Sequence, residues 1–252
     1  MTGAGRNLTA DLLYNDPALV DFYDLVNTGD AELRRCLALA GDAKSVLDLG
    51  CGTGQLAAAF ADGRAVVGVD PAGAMLDVAR RRPGGEHVEW VEADARTIRI
   101  GRTFDLVILT GHAFQVFLTR EDQLAVLGTI AAHLAPGGHF VFDSRNPVVE
   151  AWRDWVPERS EEMVSHPRFG MVKGWYDARM EADGVVSYRT WYEVAATGQM
   201  LTAESKIAFP SKEEIAAGIE ATGLVAESWF GDWEGGAWTP ASREIIPFGR
   251  LR

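Results

Sequence analysis

Val46-Leu47-Asp48-Leu49-Gly50-Cys51-Gly52-Thr53-Gly54-Gln55-Leu56-Ala57-Ala58-Ala59-Phe60 decides the fold. Its opening, from Ser45 to Leu49, is apolar apart from Asp48, the pattern of a central parallel strand covered by helices on both faces. Glycine at 50, 52 and 54 then admits positive φ and strips Cβ atoms from the turn, so a ligand can lie against bare backbone. The alanine-rich stretch from Gln55 opens a helix whose first-turn N–H groups point back at the turn. The junction reads as a ligand cradle in which backbone donors do the binding.

The ligand is narrowed by what is missing. A dinucleotide fingerprint fails because Gln55 stands where its third glycine belongs, and a phosphate loop fails because no Gly-Lys-Ser/Thr follows. Asp48, two residues before the glycines, repels a pyrophosphate but attracts an ammonium or sulfonium group. Two more acids repeat the arrangement: Asp70 ends the apolar run Ala65–Val69, and Asp94 follows the run Val88–Val91. Asp70 lies where a second-strand acid holds ribose hydroxyls in nucleotide-binding α/β folds. Asp94, beside Ala95, is placed to accept from an adenine amine. Each acid alone reads equally well as a helix N-cap or a solvated turn; three at successive strand ends read as a set around one crevice.

Five motifs in order make the sequence resemble the class I S-adenosylmethionine-dependent methyltransferases: Leu47-Asp48-Leu49-Gly50-Cys51-Gly52-Thr53-Gly54, Gly68-Val69-Asp70-Pro71 with Met75-Leu76, Glu92-Ala93-Asp94-Ala95, Phe104-Asp105-Leu106-Val107, and Leu134-Ala135-Pro136-Gly137-Gly138. The resemblance spans residues 44 to 144 and thins outside them. It implies a Rossmann-like sheet with S-adenosyl-L-methionine at the carboxyl ends of its strands. On that resemblance Gly50, Cys51, Gly52 and Gly54 hold the methionine moiety, Asp70 with Pro71 the ribose, Met75 one adenine face, and Asp94 with Ala95 the amine edge. Asp48 either stands behind the residues that touch the cofactor or binds its amino group through water, and the loop Thr110-Gly111-His112-Ala113-Phe114 flanks the reacting methyl.

Composition bounds the rest. A chain of 252 residues, 47% hydrophobic, can bury a sizeable core as one domain with an insertion or as two small ones. A net charge of −12 disfavours phosphate backbones and anionic membranes, so nucleic acid and membrane are not expected partners. Two cysteines, Cys36 and Cys51, imply no disulfide framework and suit a reducing compartment. The polar start Met1–Thr9 and the lack of a bilayer-length apolar stretch make the cytoplasm the expected location.

Along the chain, Leu12 to Ala40 carries apolar residues at helical spacing, broken at Asn27-Thr28-Gly29-Asp30, which predicts two helices covering the core over residues 1–43. Tyr14 and Tyr23 there either close over the cofactor or pack as core. The Rossmann-like core at 44–146 alternates strand 44–49, helix 55–62, strand 65–70, helix 72–82, strands 87–92 and 104–110, helix 120–134 and strand 138–143. Pro136-Gly137-Gly138 is read as the stop between that helix and strand. Seven of the eight tryptophans lie beyond residue 150, and 171–181, 185–194 and 200–209 alternate large apolar and polar side chains around Asp183-Gly184 and Thr197-Gly198. This predicts an antiparallel β-meander inserted after the fifth strand, over 147–209. The core returns over 210–252 with a capping box, Ser211-Lys212-Glu213-Glu214, and strands near 224–230 and 243–249. The fold class is α/β, with a seven-stranded, mostly parallel sheet and helices on both faces.

Methyl transfer needs alignment first, and a base only where the acceptor carries a proton. His112 is the candidate base, or else a loop histidine bonded to backbone. Phe114, Gln115, Arg145, Trp175 and Trp191 are candidate acceptor residues. Arg145 follows the fifth strand and either binds an acidic acceptor or pairs with a neighbouring carboxylate. His133, His139 and His166 show no metal spacing, and no metal is expected. Asn146-Pro147-Val148 is not the Asn-Pro-Pro-Tyr signature of nucleic-acid amino methyltransferases, which points to a small-molecule acceptor. The tryptophan-rich insertion is a lid over the crevice, a second core or a subunit contact, so a homodimer is possible. The expected reaction is methylation of nitrogen or oxygen of a small molecule. The alternatives are a catalytically silent cofactor-binding sensor or subunit and a nicotinamide-dependent oxidoreductase, the latter disfavoured by Gln55 and the lack of a Tyr-x-x-x-Lys pair.

Overall fold

The computed structural model describes residues 11–27 and 29–252. Its strands are β1 (Ser45–Leu49), β2 (Ala65–Asp70), β3 (Val88–Glu92), β4 (Phe104–Leu109), β5 (Leu134–Phe142), β6 (Ser144–Arg145), β7 (Glu162–His166), β8 (Gly170–Met180), β9 (Val185–Val194), β10 (Met200–Ala208), β11 (Leu224–Phe230) and β12 (Glu244–Leu251). Helices are α1 (Leu12–Asn15), α2 (Pro17–Val20), α3 (Tyr23–Val26), α4 (Asp30–Ala40), α5 (Gln55–Phe60), α6 (Gly73–Arg81), α7 (Arg120–His133), α8 (Pro157–Ser160) and α9 (Lys212–Ala221).

The main sheet runs β11-β12-β5-β4-β1-β2-β3. Only β12 is antiparallel to its neighbours, β5 and β11. β6 continues along the edge by pairing with β12. Strand order reverses between β1 and β4, the switch point where open α/β sheets leave a crevice. Asp105 fixes these two strands end to end: its carboxylate accepts from Lys44 N at 2.8 Å, Ser45 N at 2.9 Å and Ser45 Oγ at 3.0 Å. One side of the sheet packs Leu47, Leu49, Phe104, Phe140 and Phe142 against α7 and α9. The other packs Val46, Val66, Leu106 and Ile108 against α4 and α5.

Two local readings are corrected. The N-terminal cover is four helical pieces rather than two, because Asp16 ends α1 and caps α2, accepting from Ala18 N at 2.8 Å with Pro17 at the first helical position. The expected break at Asn27–Asp30 includes Thr28, which lies outside the described residues, as do residues 1–10 of the expected cover. Pro136-Gly137-Gly138 does not separate helix from strand: β5 begins at Leu134 and carries the glycines as a register irregularity, with Gly137 at φ +80°. The capping box at Ser211 forms as expected, Ser211 N donating to Glu214 at 2.7 Å and Glu214 N to Ser211 Oγ at 3.2 Å.

The inserted sheet has four strands, β10-β9-β8-β7, one more than the alternation predicted. Glu162-Met163-Val164-Ser165-His166 offers too little apolar alternation to be read alone and acquires its strand identity from pairing with β8. The face of this sheet turned toward the protein carries Val172, Tyr192, Val194 and Ala203, packed on Leu19 and Phe22 from the N-terminal helices. Among the described residues no helix is long and apolar enough to cross a membrane.

Candidate functional site

A cavity of about 420 Å³ opens at the switch point, floored by the ends of β1, β2 and β4 and walled by the N-terminal helices and the inserted sheet. The glycine loop lines it through absence of side chains. Gly50, Gly52 and Gly54 take φ of +68°, +54° and +77°. A Cβ on Gly54 would stand 2.4 Å from the Trp90 ring and 2.8 Å from Ala79. The expectation that free backbone donors do the binding is corrected for these glycines and Cys51. Gly50 and Cys51 donate to Val69 O, Gly54 to Cys51 O, and Gly52 to Asp70 Oδ2 at 2.8 Å.

Asp48, Gly50, Cys51, Gly52, Asp70, Pro71, Met75, Ala95, Thr110 and Gly111 all border the cavity, as do Tyr14 and Tyr23. Asp70 also accepts from Ala72 N at 2.9 Å, yet burial outweighs both bonds and holds its proton to about pH 6. Burial likewise pushes Asp48 well above the ordinary carboxylate range, helped by Glu32 and Asp70 and opposed by the Ala57 N–H. Burial raises the Cys51 thiol too, so Cys51 is an inert wall. Buried carboxylates around bare backbone gain from a cation, and this donor set fits a sulfonium and ammonium ligand carrying a ribose.

Gly54 lies behind the loop rather than on the cavity, and Asp94 does not border it. Asp94 is committed elsewhere: its carboxylate pairs with Arg96 at 2.5 Å, and Arg96 pairs in turn with Asp122 at 2.8 Å. Burial alone would raise Asp94, but the Arg96 bonds win and hold it below its ordinary value. The backbone turn that Asp94 closes leaves only Ala95 facing inward.

Tyr23 is set over the loop by a network that sequence reading missed. Thr53 Oγ1 donates to Asp24 at 2.6 Å, Arg82 pairs with Asp24, and Arg82 Nε donates to Thr53 O at 2.9 Å. A Cβ on Gly52 would meet the Tyr23 ring at 3.9 Å. The residues lie 29 and 58 positions apart in the chain, so no local pattern announces them.

Where the loop after β4 turns into the Ala113–Val116 3-10 helix, His112 sits at φ +61° and its N–H donates to Asp143 Oδ1 at 2.9 Å. Its Nε2 lies 3.0 Å from Glu244 Oε2 and 3.4 Å from Asp143 Oδ2. Burial, then the Arg145 charge, lowers His112 to about 4, so the ring is neutral at pH 7. Burial raises Asp143, and raises Glu244 to about 7. The three donor atoms lie within 4.8 Å of one another, close enough to clasp a cation. The Nε2–Oε2 contact is already a hydrogen bond, and Arg145 stands opposite Glu244 in the β6–β12 pairing. The group reads as a proton-sharing pair steadied by Asp143. Glu32 joins it from α4, bonding Thr110 and the Gly111 backbone.

The acceptor side is where sequence reading went furthest astray. Trp175 and Trp191 do not border the cavity; they stack on each other at 6.1 Å on the opposite face of the inserted sheet, under Lys173 and Arg189. Strand parity puts their neighbours inside: Tyr176, Tyr188, Thr190 and Tyr192 line the cavity, joined by Trp155. Phe114 is core, packed on Phe142 at 4.7 Å. Gln115 is fully buried, donating to Ala208 O at 2.7 Å and accepting from Arg145 Nη1 at 2.9 Å, so it positions rather than binds. Arg145 does border the cavity. Among the other histidines, His133 ties Ile100 N to Thr129 O, His139 stacks on Phe248, and His166 packs under Phe22.

Comparison with known proteins agrees with this geometry. Residues 46–138 match the methyltransferase domain family. The chain is 29% identical over 239 residues to the cypemycin N-terminal methyltransferase of a Streptomyces species, covering 92% of this chain and 95% of that one. The CcbJ methyltransferase structure from Streptomyces caelestis superposes with a TM-score of 0.77 at 21% identity, over 92% of this chain and 96% of that one. CalS10, an amino pentose methyltransferase from Micromonospora echinaspora solved with S-adenosylmethionine bound, does so with a TM-score of 0.65 at 27% identity, over 89% and 91%.

Proposed function

From a chain that is a class I S-adenosylmethionine-dependent methyltransferase, we propose that the methyl group goes to the nitrogen of a small-molecule amine. The observation that carries this reading is the composition of the cavity wall beyond the glycine loop: neutral His112, backed by Glu244 at 3.0 Å, on one side and Tyr14, Tyr176, Tyr188 and Tyr192 on the other. Burial keeps the Tyr14 and Tyr188 phenols above their ordinary range, so they stay protonated. Neutral phenol rings beside buried carboxylates attract an ammonium group. The cypemycin enzyme and the amino pentose enzyme are both named for amine-bearing substrates, which supports the same choice.

The bound cofactor supplies a methyl group already activated by its sulfonium. The chain's own part is to bind, align and take up a proton. Asp70 holds ribose hydroxyls with the lone pairs its two backbone bonds leave free, while Asp48 and Glu32 offset the cofactor's positive charge. Met75 and Ala95 flank the adenine. Tyr23 closes over Gly52 and excludes water. His112, with Glu244 behind it at 3.0 Å, takes up the proton that the amine must lose to become a nucleophile, and the proton comes to rest on Glu244, whose value near 7 lies above that of His112.

Cofactor turnover against matched amines and alcohols on one carbon skeleton tests the reading. Methylation of amines with alcohols inert is the expected result; preference for the alcohols would overturn it. The two unpaired cysteines suit a reducing compartment, which supports a cytoplasmic location.

A further inference from the structure

Arg145 is the side chain that the proposed chemistry leaves without a task. It lies half-buried on the cavity wall, at the end of β6. Its guanidinium donates once, from Nη1 to Gln115 Oε1 at 2.9 Å, and rests on the Trp155 ring with Cζ 5.1 Å from the centroid. A guanidinium has more N–H donors than that bond uses. Several other arginines in the described residues form ion pairs: Arg82 with Asp24, Arg96 with Asp94 and Asp122, Arg189 with Glu204, Arg250 with Glu227. Arg145 does not, although Glu244 is directly opposite it in the strand register and the chain carries a net charge of −12. Glu244 is turned to His112, and the Arg145 head is drawn away by Gln115 and Trp155.

The holder is itself built for this. Gln115 is fully buried and fixed by its amide bond to Ala208 O at 2.7 Å, so its oxygen is a rigid acceptor aimed at Arg145. Orienting a guanidinium with a neutral amide and an aromatic face leaves it without an ion pair and its fork open, although its charge still reaches Glu244, and an open fork is the arrangement that recognises a carboxylate or phosphate bidentately. We infer that Arg145 is an anion anchor: the acceptor carries, besides the reacting amine, an anionic oxygen group that seats against Arg145 between Trp155 and Tyr176. The inference rests on the amine reading above and names the second functional group of the same substrate. It gives the site two poles, acids and phenols for the amine and one arginine for the anion, so an acceptor can enter in a single orientation.

The test uses three probes small enough for the cavity, ethanolamine, β-alanine and phosphoethanolamine, titrated calorimetrically into the protein saturated with S-adenosylhomocysteine. In the native protein one or both anionic probes bind about tenfold or more tighter than ethanolamine, and whichever keeps the margin identifies carboxylate or phosphate. R145M cuts the margin to about twofold, and R145K restores only part of it because an ammonium lacks the fork. S-adenosylhomocysteine affinity stays unchanged in both variants, which shows that the fold is intact. No margin in the native protein, or an equal loss for all three probes in R145M, overturns the anchor. Methylation of ethanolamine without any margin would sink the anchor and leave the amine reading standing. An Arg145-dependent margin with alcohols methylated in preference to amines would do the reverse.

Discussion

The two walls of the cavity are built on different principles. The floor, from the ends of β1, β2 and β4, gathers its residues from strand–loop junctions, so each functional position sits next to a glycine or an apolar run that marks it. The roof, from β8, β9 and the N-terminal helices, gathers its residues by strand parity and by contacts between segments 29 to 194 positions apart, as in Thr53–Asp24 and Ser205–Asp11. Floor geometry is therefore written locally, and roof geometry only in the folded chain. The seam between them is His112, held by Asp143 below and Glu244 beside it.

Breaking the seam has the largest effect. Asn tolerates the left-handed backbone that His112 adopts, so His112→Asn removes the imidazole while sparing the turn. The expected result is a fall in kcat of about 100-fold or more, with S-adenosylhomocysteine affinity unchanged by calorimetry. A kcat within about threefold of the native value would show that the amine loses its proton to solvent.

On the floor, Gly54→Ala places a Cβ against Trp90 and Ala79 at a backbone angle that L-residues resist. Left-handed strain and overpacking together cost about 3 kcal/mol, readable as a lower urea midpoint. Gly101→Ala, at φ +78° with nothing within 4 Å, is the control matched in φ and loses about 1 kcal/mol. Equal losses at the two sites would mean that the loop is not closely backed by Trp90.

At the seam's outer edge, Glu244 sets a pH dependence whose sign is fixed. Its carboxyl releases its proton near pH 7 in the folded protein against an ordinary value of 4.5. Between those values the folded state keeps a proton that the unfolded chain has lost, so stability is highest below the ordinary value and declines as pH rises through 7. The slope approaches about 1 kcal/mol per pH unit. Glu244→Gln flattens that component in urea titrations from pH 5 to 7.5; an unchanged slope would place the titrating proton on another group.

Asp70→Asn tests the floor's hold on the cofactor. Its carboxylate is charged only after desolvation is offset, so binding a ribose through it is worth about 2 kcal/mol, a loss of roughly 30-fold in affinity by calorimetry. Unaltered affinity would leave Asp70 the single role of tethering Gly52 and Ala72.

The same contrast explains what was legible in the sequence. That Gly50, Gly52, Asp48, Asp70 and Met75 meet at one cavity, and the order of the core elements, were readable because each belongs to a motif of neighbours at a strand end. Asp94 follows the third strand as expected but does not border the cavity, since it pairs with Arg96, which Asp122 holds from α7, and nothing at Asp94 itself announces Asp122. Glu32, Glu244 and Tyr188 were missed because their functional address depends on pairing: Glu244 on the register with β6, Tyr188 on which face of β9 turns inward.

That last dependence yields the smallest effect and the sharpest check on the roof. Trp191 and Tyr192 are neighbours on β9, and a one-residue change of face separates a stacked tryptophan on the outside from a ring that covers Gly174 and meets Phe22 at 4.1 Å. Large aromatic residues in an inserted segment suggested a substrate cage, but bulk carries no information about face; alternation does. Trp191→Ala removes the stack on Trp175 and the Arg189 contact, which costs about 1 kcal/mol of stability and leaves KM for the acceptor unchanged. Tyr192→Ala, one residue on, should raise that KM as well as destabilise the Phe22 cluster, because its ring borders the cavity. If Trp191→Ala raised KM as much as Tyr192→Ala, the inserted sheet would have to present its other face to the acceptor, and the parity that separates roof from floor would be lost.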